Sequence, residues 1–150
     1  MTSLFAFLHH LAAFTLFAAL VVELILIREV LTVGTARKLQ IADMVFGISA
    51  GVLVVAGLLR VFYFEKGAYY YFHTWTFIAK LALFVVIGLV SIIPTLEFLA
   101  WRKAVKQGQA PGVSPERVRF LRSIIHWELA GVVLIILMAA LMAKGVGLLL

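Results

Sequence analysis

The chain contains no cysteine, which excludes disulfides, thiolate metal sites, iron–sulfur clusters and covalently attached c-type haem. Charge is scarce as well. Only 13% of the 150 residues are charged, too few to cover a globule of that size with polar surface. No internal repeat, low-complexity tract or polar stretch long enough for a soluble domain interrupts the sequence. The first apolar run has no Lys or Arg before it and is of full spanning length, so it reads as a retained helix rather than a secretory signal.

What is present is apolar. Hydrophobic residues make up 65% of the chain and the mean hydropathy is +1.14. The hydrocarbon of a bilayer is about 30 Å thick and a helix rises about 1.5 Å per residue, so roughly 20 apolar residues cross it. Four stretches qualify: Leu4 to Ile27, Ile41 to Leu59, Phe72 to Leu99 and Ser123 to Ala143. The expected fold is an all-α, integral membrane, four-helix up-down bundle forming a single domain over residues 1–150.

The linker "WRKAVKQGQAPGVSPERVRFLRS" carries Gly108, Pro111, Gly112 and Pro115, which forbid one continuous helix. Ser114, Pro115 and Glu116 read as N-cap, N1 and acidic first turn, so the fourth helix is expected from about 115 to 143.

Basic residues are unevenly distributed. Arg28, Arg37, Lys38, Arg102, Lys103, Lys106, Arg117, Arg119 and Arg122 flank the first and third connections, against Arg60, Lys66 and Lys144 on the other side. The positive-inside rule then places those connections in the cytoplasm and both termini outside. The same distribution accounts for a pI near 10 through anionic lipid, without a nucleic-acid partner.

Ionisable residues at membrane depth are expensive and usually face the bundle interior. On the side of the termini these are His9, His10, Arg60, His73 and Lys80; on the basic side, Glu23, Asp43, Glu97, His126 and Glu128. His9 shares a helical stripe with Ala12, Ala13, Leu16, Leu20 and Glu23, whereas His10 lines up with Phe14, Phe17 and Val21, so His9 is expected to point inward. Seven residues separate His73 from Lys80, nearly two turns, which puts both on one face if the third helix is continuous.

Two histidines from different helices at one depth suit the axial ligation of a b-type haem, with Lys80 or Arg60 as charge partner to a propionate or an anionic substrate. Structural hydrogen bonding and proton transfer are the other uses of the same pair. Each helix also places one carboxylate near the basic side: Glu23, Asp43, Glu97 and Glu128. Such a ring could line a cation or proton path, or its members could pair with Arg28, Arg122 or other headgroup-level bases. The tyrosines and phenylalanines from Phe62 to Trp75, with Trp101 and Trp127 on the other side, read as interfacial belts. Gly47 and Gly51 form a GxxxG pair, read as helix packing within the bundle, with a homo-oligomer left open.

"LHHLAAF" in the first helix and "YFHTWTFIAKLALFVVIGLV" opening the third resemble an uncharacterised family of small four-helix bacterial inner-membrane proteins. More distantly, the two segments are similar to a superfamily that includes the copper-resistance D proteins and the HemJ-type protoporphyrinogen oxidases. That second resemblance implies a helix-1 histidine and a helix-3 lysine used in haem binding and catalysis, which by motif position are His9 and Lys80.

The resulting expectation is an inner-membrane protein binding haem b through His9 and His73, with Arg60 beside it, Lys80 in a catalytic role, and a quinone or porphyrin as redox partner. One alternative is a cation or proton translocator using Glu23, Asp43, Glu97 and Glu128. Another is a non-catalytic membrane subunit or assembly factor whose polar residues specify helix pairing.

Overall fold

The computed structural model describes residues 2–64 and 66–148. Its elements are α1 (Thr2–Leu26), α2 (Val33–Leu59) continued by a π-helical turn (Arg60–Phe64), α3 (Ala68–Phe72), α4 (Trp75–Ala100), α5 (Arg102–Lys106) and α6 (Pro115–Ala143). Four of these helices are long and apolar enough to cross a membrane, and they form an all-α membrane bundle. α1 packs along α2 and α4 along α6, while α1 also meets α6 and α2 meets α4.

The buried positions recur at three- and four-residue intervals, the spacing that keeps one helix face on a neighbour. In α6 they are Leu121, Ile125, Glu128 and Val132; in α4, Ile87, Ser91, Pro94 and Phe98; in α1, Ala12, Leu16, Ala19 and Glu23. Apolar surface gives helices no preference for one another over lipid, so close approach of backbones matters more than burial. Gly131 is the clearest instance: a Cβ there would lie 2.7 Å from Ile87 Cδ1. The outward faces carry Phe14, Ile48, Val55, Leu89, Leu96 and Ile136, all exposed, as a surface meant for acyl chains requires.

Two boundaries differ from the sequence reading. α2 starts at Val33, eight residues before the apolar run, because Thr32 caps it, its hydroxyl accepting from the Thr35 N–H at 3.2 Å. Arg37 and Lys38 are exposed on these first turns. α6 begins at Pro115, as expected, under Ser114, whose hydroxyl accepts from the Arg117 N–H.

The second difference is the larger. The segment "YYYFHTWTFIAK" is two helices, not one: α3 ends at Phe72, and Thr74 is extended with φ −117° and ψ 111° before α4 begins at Trp75. The residues after α6 cause the break. The Trp75 N–H donates to the Gly147 carbonyl at 2.9 Å and the Thr76 hydroxyl to the Val146 carbonyl at 3.1 Å. Thr74 forms a bridge with Leu148. Orphan groups at the start of α4 are thus satisfied from the chain's far end. Gly147 makes this contact possible, since its φ is +100° and a Cβ would fall 2.6 Å from Trp75 Nε1.

The GxxxG pair does not pack inside the bundle. A Cβ at Gly47 or Gly51 would meet nothing within 4 Å, and both residues are exposed. Gly57 is the glycine of α2 that faces a neighbour, with a Cβ position 3.4 Å from His9 Cε1. Trp101 is likewise not interfacial: it is buried on Phe98 with ring centroids 5.1 Å apart, whereas Trp127 is exposed.

Candidate functional site

Three carboxyl groups from three helices are buried together toward the end of the bundle that carries the basic connections. Glu23 on α1 is 1% exposed, Glu128 on α6 is 2% exposed and Asp43 on α2 is 9% exposed. Glu23 lies within electrostatic reach of both Asp43 and Glu128, and Asp43 within reach of Glu128. α4 contributes a hydroxyl to the group, with Thr95 Oγ1 donating to Asp43 Oδ1 at 2.8 Å. The Oε1 atoms of Glu23 and Glu128 have no hydrogen-bond partner among the described residues. Among the described residues, no Lys or Arg is a source of the charge acting on any of the three carboxyls.

These placements follow from the packing stripes. Glu23 is three residues after Leu20 and four before Ile27, both fully or nearly fully buried, so its side chain cannot leave the interior. Glu128 sits between Ile125 and Val132 in the same way. On α4, Ser91 and Thr95 are one turn apart around Pro94. A proline at 94 has no N–H for the Val90 carbonyl, and Ser91 spends its hydroxyl on the Gly88 carbonyl at 2.7 Å. Transfer of one charged side chain to the centre of a spanning helix costs about 2.5–3.5 kcal/mol on insertion scales, and three unpaired ones would cost more. A cluster of this kind needs compensating cations.

A coordinated metal ion is not indicated, because among the described residues no three His, Asp or Glu side chains converge closely enough to hold one. The fourth member expected from the sequence stands apart. Glu97 pairs with Arg117, its Oε2 accepting from Nη2 at 2.8 Å and from Nε at 2.9 Å, so the ring of four is a trio plus a surface ion pair. Arg28 and Arg122, the expected partners of the acids, are exposed. His126 is exposed too, as a residue two positions from an inward Glu128 must be.

The opposite end holds the other candidates. His9 faces the bundle against Gly57, and its Nδ1 is buried with no hydrogen-bond partner. Arg60 and Lys80 lie within its electrostatic reach. Lys80 Nζ sits 5.2 Å from the centroid of Phe77, which packs with Val61 and Tyr71. His10 is exposed, bonded through Nδ1 to the Ala6 carbonyl.

His73 does not share a helical face with Lys80, because the break at Thr74 separates them. It is exposed at the end of α3, stacked on Tyr69 at 3.9 Å, with Nδ1 at 2.8 Å from the Tyr69 carbonyl. The π turn that carries Arg60 is anchored by Phe64 stacking on Phe5 at 4.8 Å.

Sequence reasoning missed Thr95 and Gln40. The Gln40 side-chain amide donates to the Phe98 carbonyl at 2.8 Å and ties α2 to α4 one turn from Asp43. A hydroxyl residue one turn from a second one, flanking an intramembrane proline, was the available signal for Thr95.

Fold and site together define a small four-helix membrane protein with an unpaired acidic cluster in its core. The chain belongs to the family described as Predicted membrane protein (DUF2214), whose model matches residues 1–147. Neither a curated protein nor a solved structure matches it.

Proposed function

We propose that this protein is a proton translocator, with Glu23, Asp43 and Glu128 as the groups that take up and release the proton. The observation that carries this reading is the burial of three mutually interacting carboxyls with no Lys or Arg among the described residues acting on them. Their joint negative charge is not sustainable in a low-dielectric core without a compensating cation. A proton fits where a metal ion lacks a ligand set. The Thr95 hydroxyl, bonded to Asp43, holds one carboxyl in place while leaving oxygens of the other two open to exchange.

In this reading the protein sits in the bacterial cytoplasmic membrane with the basic end inside and both termini outside, which the nine-to-three split of Lys and Arg supports. The test is proton flux into liposomes followed with an entrapped pH-sensitive dye. Flux in the wild type, lost in Asp43→Asn and Glu128→Gln, is the expected result. A correctly folded wild type that carries no protons under a pH gradient or a potential overturns the reading and leaves a role in helix pairing or assembly.

A second reading concerns the other end. His9, with a buried unpartnered Nδ1 and with Arg60 and Lys80 within its electrostatic reach, favours a haem b or porphyrin site there. The exposure of His73 does not favour it as the second axial ligand. Met142, a sulfur residue packed against the Val61, Tyr71 and Phe77 cluster, is the candidate in its place. The purified protein from haem-replete cells should then show a Soret band that disappears in His9→Ala; a colourless preparation excludes this reading.

A further inference from the structure

We infer that the carboxyl cluster communicates with the basic end of the bundle alone, through a gate made by Phe98, latched by Gln40 and hinged at Pro94. The inference rests on the reading of Glu23, Asp43 and Glu128 as proton-carrying groups and adds to it the side from which protons arrive.

The seals above and below the cluster differ in thickness. Toward the termini, Leu16, Leu20, Phe46, Ile87 and Val132 close the core, and partly buried Leu53 and Phe84 continue it. The next inward-facing ionisable group in that direction on α1 is His9, fourteen residues from Glu23, or about 21 Å along the helix. The same interval on α2 separates Asp43 from Gly57, which His9 touches. The polar side chains along that distance are hydroxyls, Thr15, Ser49 and Ser91, and those of Thr15 and Ser91 are spent on the carbonyls of Leu11 and Gly88 in their own helices.

Toward the basic end the seal is about two helical turns. Ile27 lies four residues beyond Glu23, Leu39 four before Asp43, Phe98 three beyond Thr95 and Ile125 three before Glu128, about 4.5–6 Å along each helix, and Ala36, Trp101 and Leu121 form a second layer behind these four. All four side chains are buried, and Phe98 is 1% exposed. Immediately behind Phe98 lies Trp101, which also lines a cavity of about 580 Å³ with Glu97, Val113, Ser114 and Arg117. Phe98 and Trp101 are therefore the partition between a polar vestibule and the buried acids.

That partition is built to move. Pro94 removes the backbone hydrogen bond to the Val90 carbonyl, which weakens the attachment of the last turns of α4 to the rest of the helix. The Gln40 side chain holds those turns from α2 by its bond to the Phe98 carbonyl. Release of that bond and a small rotation beyond Pro94 would swing Phe98 aside and wet the cluster from the vestibule. No proline falls within the thicker seal.

The test uses carbodiimides, which add to protonated carboxyl groups, on the full-length protein in lipid nanodiscs with modified residues located by mass spectrometry. Dicyclohexylcarbodiimide enters through lipid and should label the cluster in the wild type; the water-soluble reagent EDC should label it poorly. Gln40→Ala and Phe98→Ala are expected to raise EDC labelling of Glu23, Asp43 or Glu128 several-fold, and Leu16→Ala, in the thick seal, to leave it unchanged. Gln40→Ala keeps the core intact, so the outcome does not depend on whether Phe98→Ala folds. EDC labelling unchanged in Gln40→Ala, or raised equally by Leu16→Ala, overturns the gate while labelling by the lipid-soluble reagent leaves the proton-carrying role standing. Absence of labelling by the lipid-soluble reagent in every variant overturns that role and the gate with it.

Discussion

Thr95 on α4 donates its hydroxyl to Asp43 on α2 across 2.8 Å, a hydrogen bond between side chains of two spanning helices. Its consequence is directional. Asp43 has a fixed partner, whereas Glu23 and Glu128 each keep an oxygen without one.

Replacing Thr95 by Val keeps the shape and deletes the donor. A buried acceptor left unsatisfied costs about 1–3 kcal/mol, so the unfolding free energy of Thr95→Val measured by SDS titration should fall by that order. Thr95→Ser, which retains the hydroxyl, should lose less. On the proton-translocation reading, flux should also fall in Thr95→Val and largely recover in Thr95→Ser.

The four acids, which look equivalent in sequence, should separate by experiment. Glu97 pairs with Arg117 near the surface, where an ion pair contributes at most about 1 kcal/mol and weakens with salt. Glu97→Gln should therefore leave proton flux close to wild type and shift thermal stability little, with the shift smaller still in high salt. Asp43→Asn should abolish flux. Equal effects of the two substitutions would restore the ring of four.

The contrast between these acids marks how far the sequence could be read. Four spans, the cap at Ser114 and the inward turn of His9 rather than His10 were legible because each depends on local pattern: apolar length, an N-cap dipeptide, a helical stripe. The trio was not fully legible, because Glu97 differs from Glu128 only in what stands opposite, and Arg117 is twenty residues away behind a linker. The break at Thr74 was hidden for the same reason. Its cause is the carbonyl of Gly147, seventy-two residues downstream of Trp75, and no property of the "HTWT" stretch alone predicts that partner.

Glycine positions in α2 give a further prediction. Gly57 faces His9, whereas Gly47 and Gly51 face open space beside an outward apolar groove formed by Phe5, Leu8, Ile48, Val52 and Val55. Gly57→Leu should displace the imidazole and destabilise the α1–α2 pair by about 1–3 kcal/mol through overpacking. Gly47→Leu should cost the monomer nothing and gain slightly from helix propensity. Thermal unfolding followed by circular dichroism in detergent checks both, and a loss of stability in Gly47→Leu would place that face against another chain.

The last turn of the chain offers the sharpest test of the fold, because two of its glycines differ in only one respect. Gly145 and Gly147 both have positive φ, +76° and +100°, which an L-residue adopts at a cost of about 1–2 kcal/mol. A Cβ at Gly145 would enter open space, so Gly145→Ala should show that backbone penalty alone. At Gly147 the Cβ would also meet Trp75 Nε1 at 2.6 Å and Thr76 Cγ2 at 2.9 Å. Gly147→Ala must therefore push the strap off the start of α4, taking with it the acceptors of the Trp75 N–H and the Thr76 hydroxyl. Thermal unfolding should show a clearly larger loss for Gly147→Ala than for Gly145→Ala. Amide hydrogen exchange should show Trp75 losing protection in the first variant and keeping it in the second. Equal exchange at Trp75 in both would mean that the helix break at Thr74 does not depend on the chain's far end.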